Sequence, residues 1–217
     1  FMLVIFDCDG VLVDSETLAA DVFSQCLARQ GVRMSAAACY SEFHGHTLPY
    51  CFTWIESHFD VSLPENFTEI LSTATRERFT LDLLPVAGVE KLLRRLLRRN
   101  IPFCVASNGE HKKINHSLAV TGLDKFFPES DKKISRFSRE DVLQGKPAPD
   151  LFLHAAEVSG VAPQSCWVIE DSPSGYKAAV SAGMQLVQYV PQADLPGGPR
   201  GGNICRNMDE VAAHVID

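Results

Sequence analysis

The sequence predicts an α/β fold: a parallel sheet covered by helices on both faces, with a helical insertion after the first strand. Three observations predict it. Short apolar runs recur at 2–6, 102–106, 166–169 and 186–190. Helix-patterned segments separate the last three of these runs. The stretch from 15 to 84 breaks the alternation and carries helical patterns with no strand. A run too short for a helix and apolar on successive residues fits a strand buried on both faces. Alternation of such strands with helices is the pattern of a parallel sheet between two helical layers.

Taken in order, Met2-Leu3-Val4-Ile5-Phe6 is the first strand and stops at Asp7. Helices are expected at 16–29, 35–43, 48–58 and 65–81. Ser35 ahead of three alanines and Pro64 ahead of Glu65 are helix-start signals, the first as a capping acceptor and the second through its fixed backbone angle. The segment 89–99 has leucines at 92, 93, 96 and 97 and precedes the second strand. Helical patterns follow at 112–120, 149–158 and 172–182, the last ending at Gly183, a favoured helix stop. Residues 191–203 hold several Gly and Pro and read as a surface loop, and 207–216 as a closing helix. The expected domains are therefore a core of 1–14 with 85–217 and a helical domain of 15–84.

Composition narrows the function. The 217 residues are 46% hydrophobic and 22% charged, a soluble globular balance with enough chain to bury a core unaided. The formal net charge of -7 argues against a nucleic-acid partner, and Arg94, Arg95, Arg98 and Arg99 read as a solvated helix face. Seven scattered cysteines, odd in number and without a CxxC pair, read as reduced buried thiols of a cytoplasmic protein. No apolar stretch approaches the ~20 residues of a membrane helix, and the chain opens on a strand that ends in acids, unlike a signal peptide. A monomer is expected, because no unpartnered apolar face is apparent.

In an open α/β sheet, ligands bind beyond the carboxyl ends of the strands. Asp7, Asp9, Gly10 and Asp14 follow the first strand; Ser107, Asn108 and Gly109 follow the second. Gly145, Lys146 and Pro147 precede the 149–158 helix, and Glu170, Asp171 and Ser172 follow the 166–169 strand. Such a set suits a phosphate ester, whose negative charge repels nucleophiles, so that catalysis is mainly positioning and charge neutralisation. Asp7 and Asp171, with Glu170 beside them, offer hard oxygen ligands for Mg²⁺. Lys146 offers a fixed positive charge, Ser107 a hydroxyl donor, and Asp9 a general acid and base two residues from Asp7. Each piece alone is common in surface turns; their order at successive strand ends makes the case.

Four segments carry a family resemblance. Phe6-Asp7-Cys8-Asp9-Gly10-Val11-Leu12-Val13-Asp14-Ser15-Glu16 resembles the first motif of the haloacid dehalogenase-like phosphohydrolases. Val105 to Gly109, Gly145 to Asp150 and Val168 to Gly175 resemble the second, third and fourth. The resemblance implies a Rossmann-like three-layer core with a helical cap inserted after the first motif. It implies Asp7 as nucleophile and Asp9 as acid and base, with Ser107, Asn108 and Lys146 at the phosphoryl group. It implies Mg²⁺ held by Asp7, the Asp9 carbonyl, Asp171 and Glu170. The small-molecule partner would be a phosphate ester, a sugar or sugar-acid phosphate by resemblance to 6-phosphogluconate phosphatases, with specificity in the cap.

Three other readings compete with a phosphatase, and particular residues separate them from it. β-Phosphoglucomutase-like members carry a histidine early in the cap, where this chain has Ala19. Dehalogenases lack the second aspartate, present here as Asp9. Phospho-accepting signalling receivers place the acidic pair ahead of the acceptor aspartate, whereas here Asp7 comes first. In the cap, His44-Gly45-His46 reads as a loop, with His46 and Thr47 as candidate substrate contacts. Phe52, Trp54 and Phe59 read as cap core, Cys8 as filler, and Lys112 and Lys113 as a helix flank from which one could reach an anionic substrate.

Overall fold

The computed structural model describes residues 2–44, 46–130, 134–191 and 203–216. In chain order the elements begin with β1 (Leu3–Phe6), α1 (Glu16–Arg29), α2 (Ala36–Phe43), α3 (Leu48–Phe59) and α4 (Phe67–Asp82). There follow α5 (Val89–Arg98), β2 (Phe103–Ser107), α6 (His111–Val120), β3 (Arg136–Ser138) and α7 (Asp150–Val158). The chain closes with β4 (Cys166–Glu170), α8 (Pro173–Ser181), β5 (Gln185–Tyr189), β6 (Asn203–Cys205) and α9 (Met208–Val215). Two compact units result: Phe1–Val13 with Leu84–Asp217, and Asp14–Leu83.

The first unit is built on one six-stranded sheet in the order β3-β2-β1-β4-β5-β6, and every neighbouring pair is parallel. Ile5 lies level with Cys104 on one side and Val168 on the other. Side chains alternate across a strand, so one sequence must furnish two buried faces. Leu3 and Ile5 of β1, Cys104 and Ala106 of β2, and Cys166 and Val168 of β4 form one core with Leu151, Phe152, Ala155 and Ala156 of α7 and Ala178 and Ala179 of α8. The alanines let those helices approach the sheet closely. The intervening residues turn the other way: the Phe6 ring meets Phe103 at 6.3 Å, and Phe103 meets Phe127 at 5.4 Å. Helix α5 buries Val89, Leu92, Leu93 and Leu96 and packs against α9. Its basic residues line the solvent side, where Arg94 pairs with Glu90 at 2.7 Å and overlies the Phe126 ring.

Two strands were not legible as apolar runs. β3 contains Arg136-Phe137-Ser138 and β6 contains Asn203-Ile204-Cys205, at opposite edges of the sheet. Edge strands can be very short, and three residues that include Arg136 or Asn203 give no continuous apolar signal. Asn203 thus begins a strand instead of ending a loop, and 192–202 of that expected loop lie outside the described residues.

The second unit is helical. Phe23, Cys26 and Leu27 of α1 share a core with Cys39 and Phe43 of α2, Cys51 and Ile55 of α3, and Phe67 and Leu71 of α4. Phe23 is its hub, with ring centroids of Phe43, Phe67 and Phe52 at 5.4, 6.3 and 6.4 Å. Phe52 and Trp54 pack against this core as expected, whereas Phe59 is 38% exposed at the end of α3. Ser35 caps α2 by accepting from the Ala38 N–H at 3.1 Å. All seven cysteines are free and buried, and no described helix is long and apolar enough to cross a membrane.

Candidate active site

The strand order turns around between β1 and β4, since β2 and β3 lie beyond one and β5 and β6 beyond the other. Connections leave such a switch point in opposite directions and open a crevice at the carboxyl ends of the strands. Asp7, Ser107 and Glu170 all stand at those ends. The chain after β1 is a tight turn: Leu12 and Val13 N–H groups donate to the Cys8 carbonyl, and Gly10 donates to the Val13 carbonyl at 2.9 Å. Gly10 has φ 75°, a left-handed backbone that glycine adopts without a Cβ clash.

Lys146 is the centre of the cluster. Its Nζ donates to Asp7 Oδ1 at 2.6 Å and to Glu170 Oε1 at 2.7 Å, with the Phe152 ring centroid 4.7 Å away. All three side chains are buried. The other Glu170 oxygen, Oε2, accepts from the N–H groups of Asp171 and Ser172 at 2.9 and 2.8 Å and from Ser172 Oγ at 3.0 Å. Ser172 also caps α8 by accepting from the Gly175 N–H. A Cβ at Gly175 would overlap the Glu170 carboxyl group, so glycine there makes room for the buried acid.

The charges are unbalanced. Burial pushes Asp7 up to about 7; Lys146 opposes this, while Glu170 and Asp9 add to it. Burial pulls the Lys146 ammonium down, but Asp7 and Glu170 reverse that and leave it raised, hence firmly protonated. Burial foremost, and then the sharing of one cation by two buried carboxylates, keeps Asp7 hard to ionise. Asp7, Glu170 and Asp171 each present an oxygen, all within 4.8 Å of one another. A cluster of hard oxygen donors with surplus negative charge fits a divalent cation such as Mg²⁺.

Ser107 is buried at the end of β2, where its Oγ accepts from the Gly109 N–H at 3.1 Å and so keeps its own proton to donate. The Asn108 amide faces the backbone of Lys146: Nδ2 donates to the carbonyl at 2.9 Å, and Oδ1 accepts from the N–H at 2.8 Å. Asp9 pairs through Oδ2 with Lys113 Nζ at 2.6 Å. Lys113 therefore reaches a site residue, beyond the helix flank that its sequence position suggested. It is the third residue of α6, in the first turn of that helix. Ser172 and Gly175, which hold Glu170, gave no signal of their own outside the motif. Cys8 is buried and its thiol is pushed well up by burial, with Asp9 and Asp7 adding to the effect, so it fills space.

In the helical unit, His46 and Thr47 are both exposed just ahead of α3. The His46 ring stacks on Tyr50 at 4.1 Å, and the His46 backbone N–H donates to the Phe43 carbonyl. His44 Nδ1 lies 3.1 Å from Glu16 Oε2, tying the loop to the first turn of α1. Gly45 lies outside the described residues.

A parallel α/β sheet with buried carboxylates around one lysine at its switch point defines an enzyme core of the hydrolase type. The chain belongs to the haloacid dehalogenase-like hydrolase family, whose model matches residues 1–183. It is 29% identical over 187 residues to 6-phosphogluconate phosphatase of Escherichia coli K12, covering 86% of this chain and 81% of that protein. It is 32% identical over 220 residues to (DL)-glycerol-3-phosphatase 1, mitochondrial, of Arabidopsis thaliana, covering 99% and 70%. A conserved haloacid dehalogenase-like protein of Agrobacterium tumefaciens C58 superposes with a TM-score of 0.86 at 30% identity, covering 99% of this chain and 97% of that one.

Proposed function

We propose that the protein is a Mg²⁺-dependent phosphatase that cleaves a small sugar or sugar-acid phosphate through an aspartyl-phosphate on Asp7. The observation that carries this reading is the buried Lys146 bridge between Asp7 and Glu170, with Asp171 beside them. The named relatives, which are phosphatases of small phosphate esters, support the reaction class. A cytoplasmic enzyme suits the seven free buried thiols.

Asp7 and Asp171 would hold the cation directly, with the Asp9 carbonyl; Glu170, whose oxygens already accept from Lys146, Ser172 and the Asp171 N–H, orients the group. When bound, Mg²⁺ supplies positive charge that keeps Asp7 ionised and offsets the charge of the phosphoryl oxygens. The Asp7 carboxylate attacks phosphorus, forming the Asp7 O–P bond as the bond to the leaving oxygen breaks. Lys146 and the Ser107 hydroxyl stabilise the transferring oxygens. Asp9 gives its proton to the departing alkoxide, then takes one from a water that attacks phosphorus and frees Asp7. His46 and Thr47 are proposed to read the leaving group.

The test is phosphate release from a panel of phosphorylated metabolites, with and without Mg²⁺, comparing the native protein with Asp7→Asn. Metal-dependent release that the variant loses is the expected result. Metal-independent release, or release retained by the variant, contradicts it. Isomerisation of hexose phosphates without net release assigns the chain to the mutase reaction instead.

A further inference from the structure

Between Val142 and Pro149 the chain forms neither helix nor strand, yet it must deliver a buried lysine to two carboxylates. The backbone hydrogen bonds of this segment are otherwise local, from Ala148 to Gly145 and from Val142 to Arg139. Apart from the Pro149 carbonyl, which accepts from the Leu153 N–H of the helix that follows, its backbone is tied to another element, among the described residues, only through the side chain of Asn108. That side chain, 38 positions away in sequence, takes both backbone groups flanking the Lys146 Cα, the N–H at 2.8 Å and the carbonyl at 2.9 Å. Two bonds from one planar amide fix both the position and the direction of the Cα–Cβ bond from which the long lysine side chain grows.

Gly145 completes the arrangement. A Cβ there would lie 2.6 Å from Asn108 Oδ1 and 3.3 Å from its Cγ, so a side chain at 145 would expel the amide. Next to Asn108, the Ser107 hydroxyl is set by the Gly109 N–H. The end of β2 thus fixes one donor directly and the other through the neighbouring loop.

We propose that Asn108 is a positioning residue for Lys146, its amide clamping the lysine's backbone so that Nζ meets the transferring phosphoryl group. This rests on the role given to Lys146 above. It gives the Asn108 side chain a task of its own, beside the place at the phosphoryl group that family resemblance implies for the residue. A phosphate ligand contributes to binding, whereas a misplaced Lys146 weakens the transition state more than the bound ester.

The test is steady-state hydrolysis of p-nitrophenyl phosphate with Mg²⁺ by the native protein, Asn108→Ala, Gly145→Ala, the double variant and Lys146→Met. Circular dichroism checks the fold of each. Asn108→Ala should lower kcat by roughly tenfold to a hundredfold and move KM by less than about threefold, as expected when a catalytic group is displaced without losing the binding site. Gly145→Ala should reproduce that pattern, and the double variant should be within about twofold of the worse single, because both changes break one contact. A raised KM with unchanged kcat in Asn108→Ala, or full additivity with Gly145→Ala, overturns the inference. Unchanged kinetics in Asn108→Ala, with Lys146→Met inactive, also overturns it and leaves the proposed reaction standing. Native turnover in Lys146→Met would instead remove the proposed function.

Discussion

Two lysine–aspartate pairs stand at the carboxyl edge of the sheet, equal in length and opposite in setting. Lys146 to Asp7 and Lys113 to Asp9 both measure 2.6 Å. The first pair has side-chain exposures of 2% and 11%, the second of 46% and 21%. Coulomb attraction at one distance varies severalfold with the surrounding dielectric, and removing charges from water carries its own cost. The buried pair is therefore a fixed part of the site that cannot be broken cheaply. The open pair lets its lysine be exchanged with water, as suits the proton transfers proposed for Asp9.

The largest expected effect breaks the buried side of that contrast. Lys146→Met leaves Asp7 and Glu170 without their cation, so metal-free protein should lose about 3–5 kcal/mol in urea unfolding. Native-like stability in that variant would mean the two acids are neutral in the resting protein.

The second effect is a pH dependence. Burial raises Asp7 from 3.8 to about 7, so the folded state keeps a proton that the unfolded chain has released. The sign follows: this contribution is fully present below about 3.8 and is lost as pH climbs through about 7. Metal-free protein should thus lose stability relative to Asp7→Asn across that window, as read by unfolding midpoints. Parallel pH curves for the two proteins would contradict the assignment.

The smallest effect sharpens the open side. Lys113→Met should cost less than about 1 kcal/mol, the range of exposed ion pairs, and the cost should shrink as salt is added. A loss equal to that of Lys146→Met would show that burial is not what separates the pairs.

How much of this was legible follows from the same physics. Central strands such as β1 and β4 are buried on both faces and announce themselves as unbroken apolar runs, and the acids beside them stand out against that background. Asp7, Ser107, Glu170 and Asp171 could be placed at strand ends because the alternation fixes where strands stop, and Lys146 only as a residue ahead of a helix. The edge strands β3 and β6 escaped, since Arg136 and Asn203 give them no apolar run. Partnerships escaped too. Nothing in the spacing of Asn108 and Lys146, or of Asp9 and Lys113, says that they touch, because both contacts join segments brought together only by the folded sheet.

Asp7 is proposed to be the phosphoryl acceptor. This role is tested most directly by acid-quenching the Asp9→Asn variant, in which release of the phosphoryl group should be slow, during reaction with a phosphate ester and Mg²⁺, then locating the modification by peptide mass spectrometry. The account predicts a phosphoryl adduct on Asp7 that is absent from the Asp7→Asn, Asp9→Asn double variant. Turnover by Asp9→Asn with an adduct on another residue would contradict it.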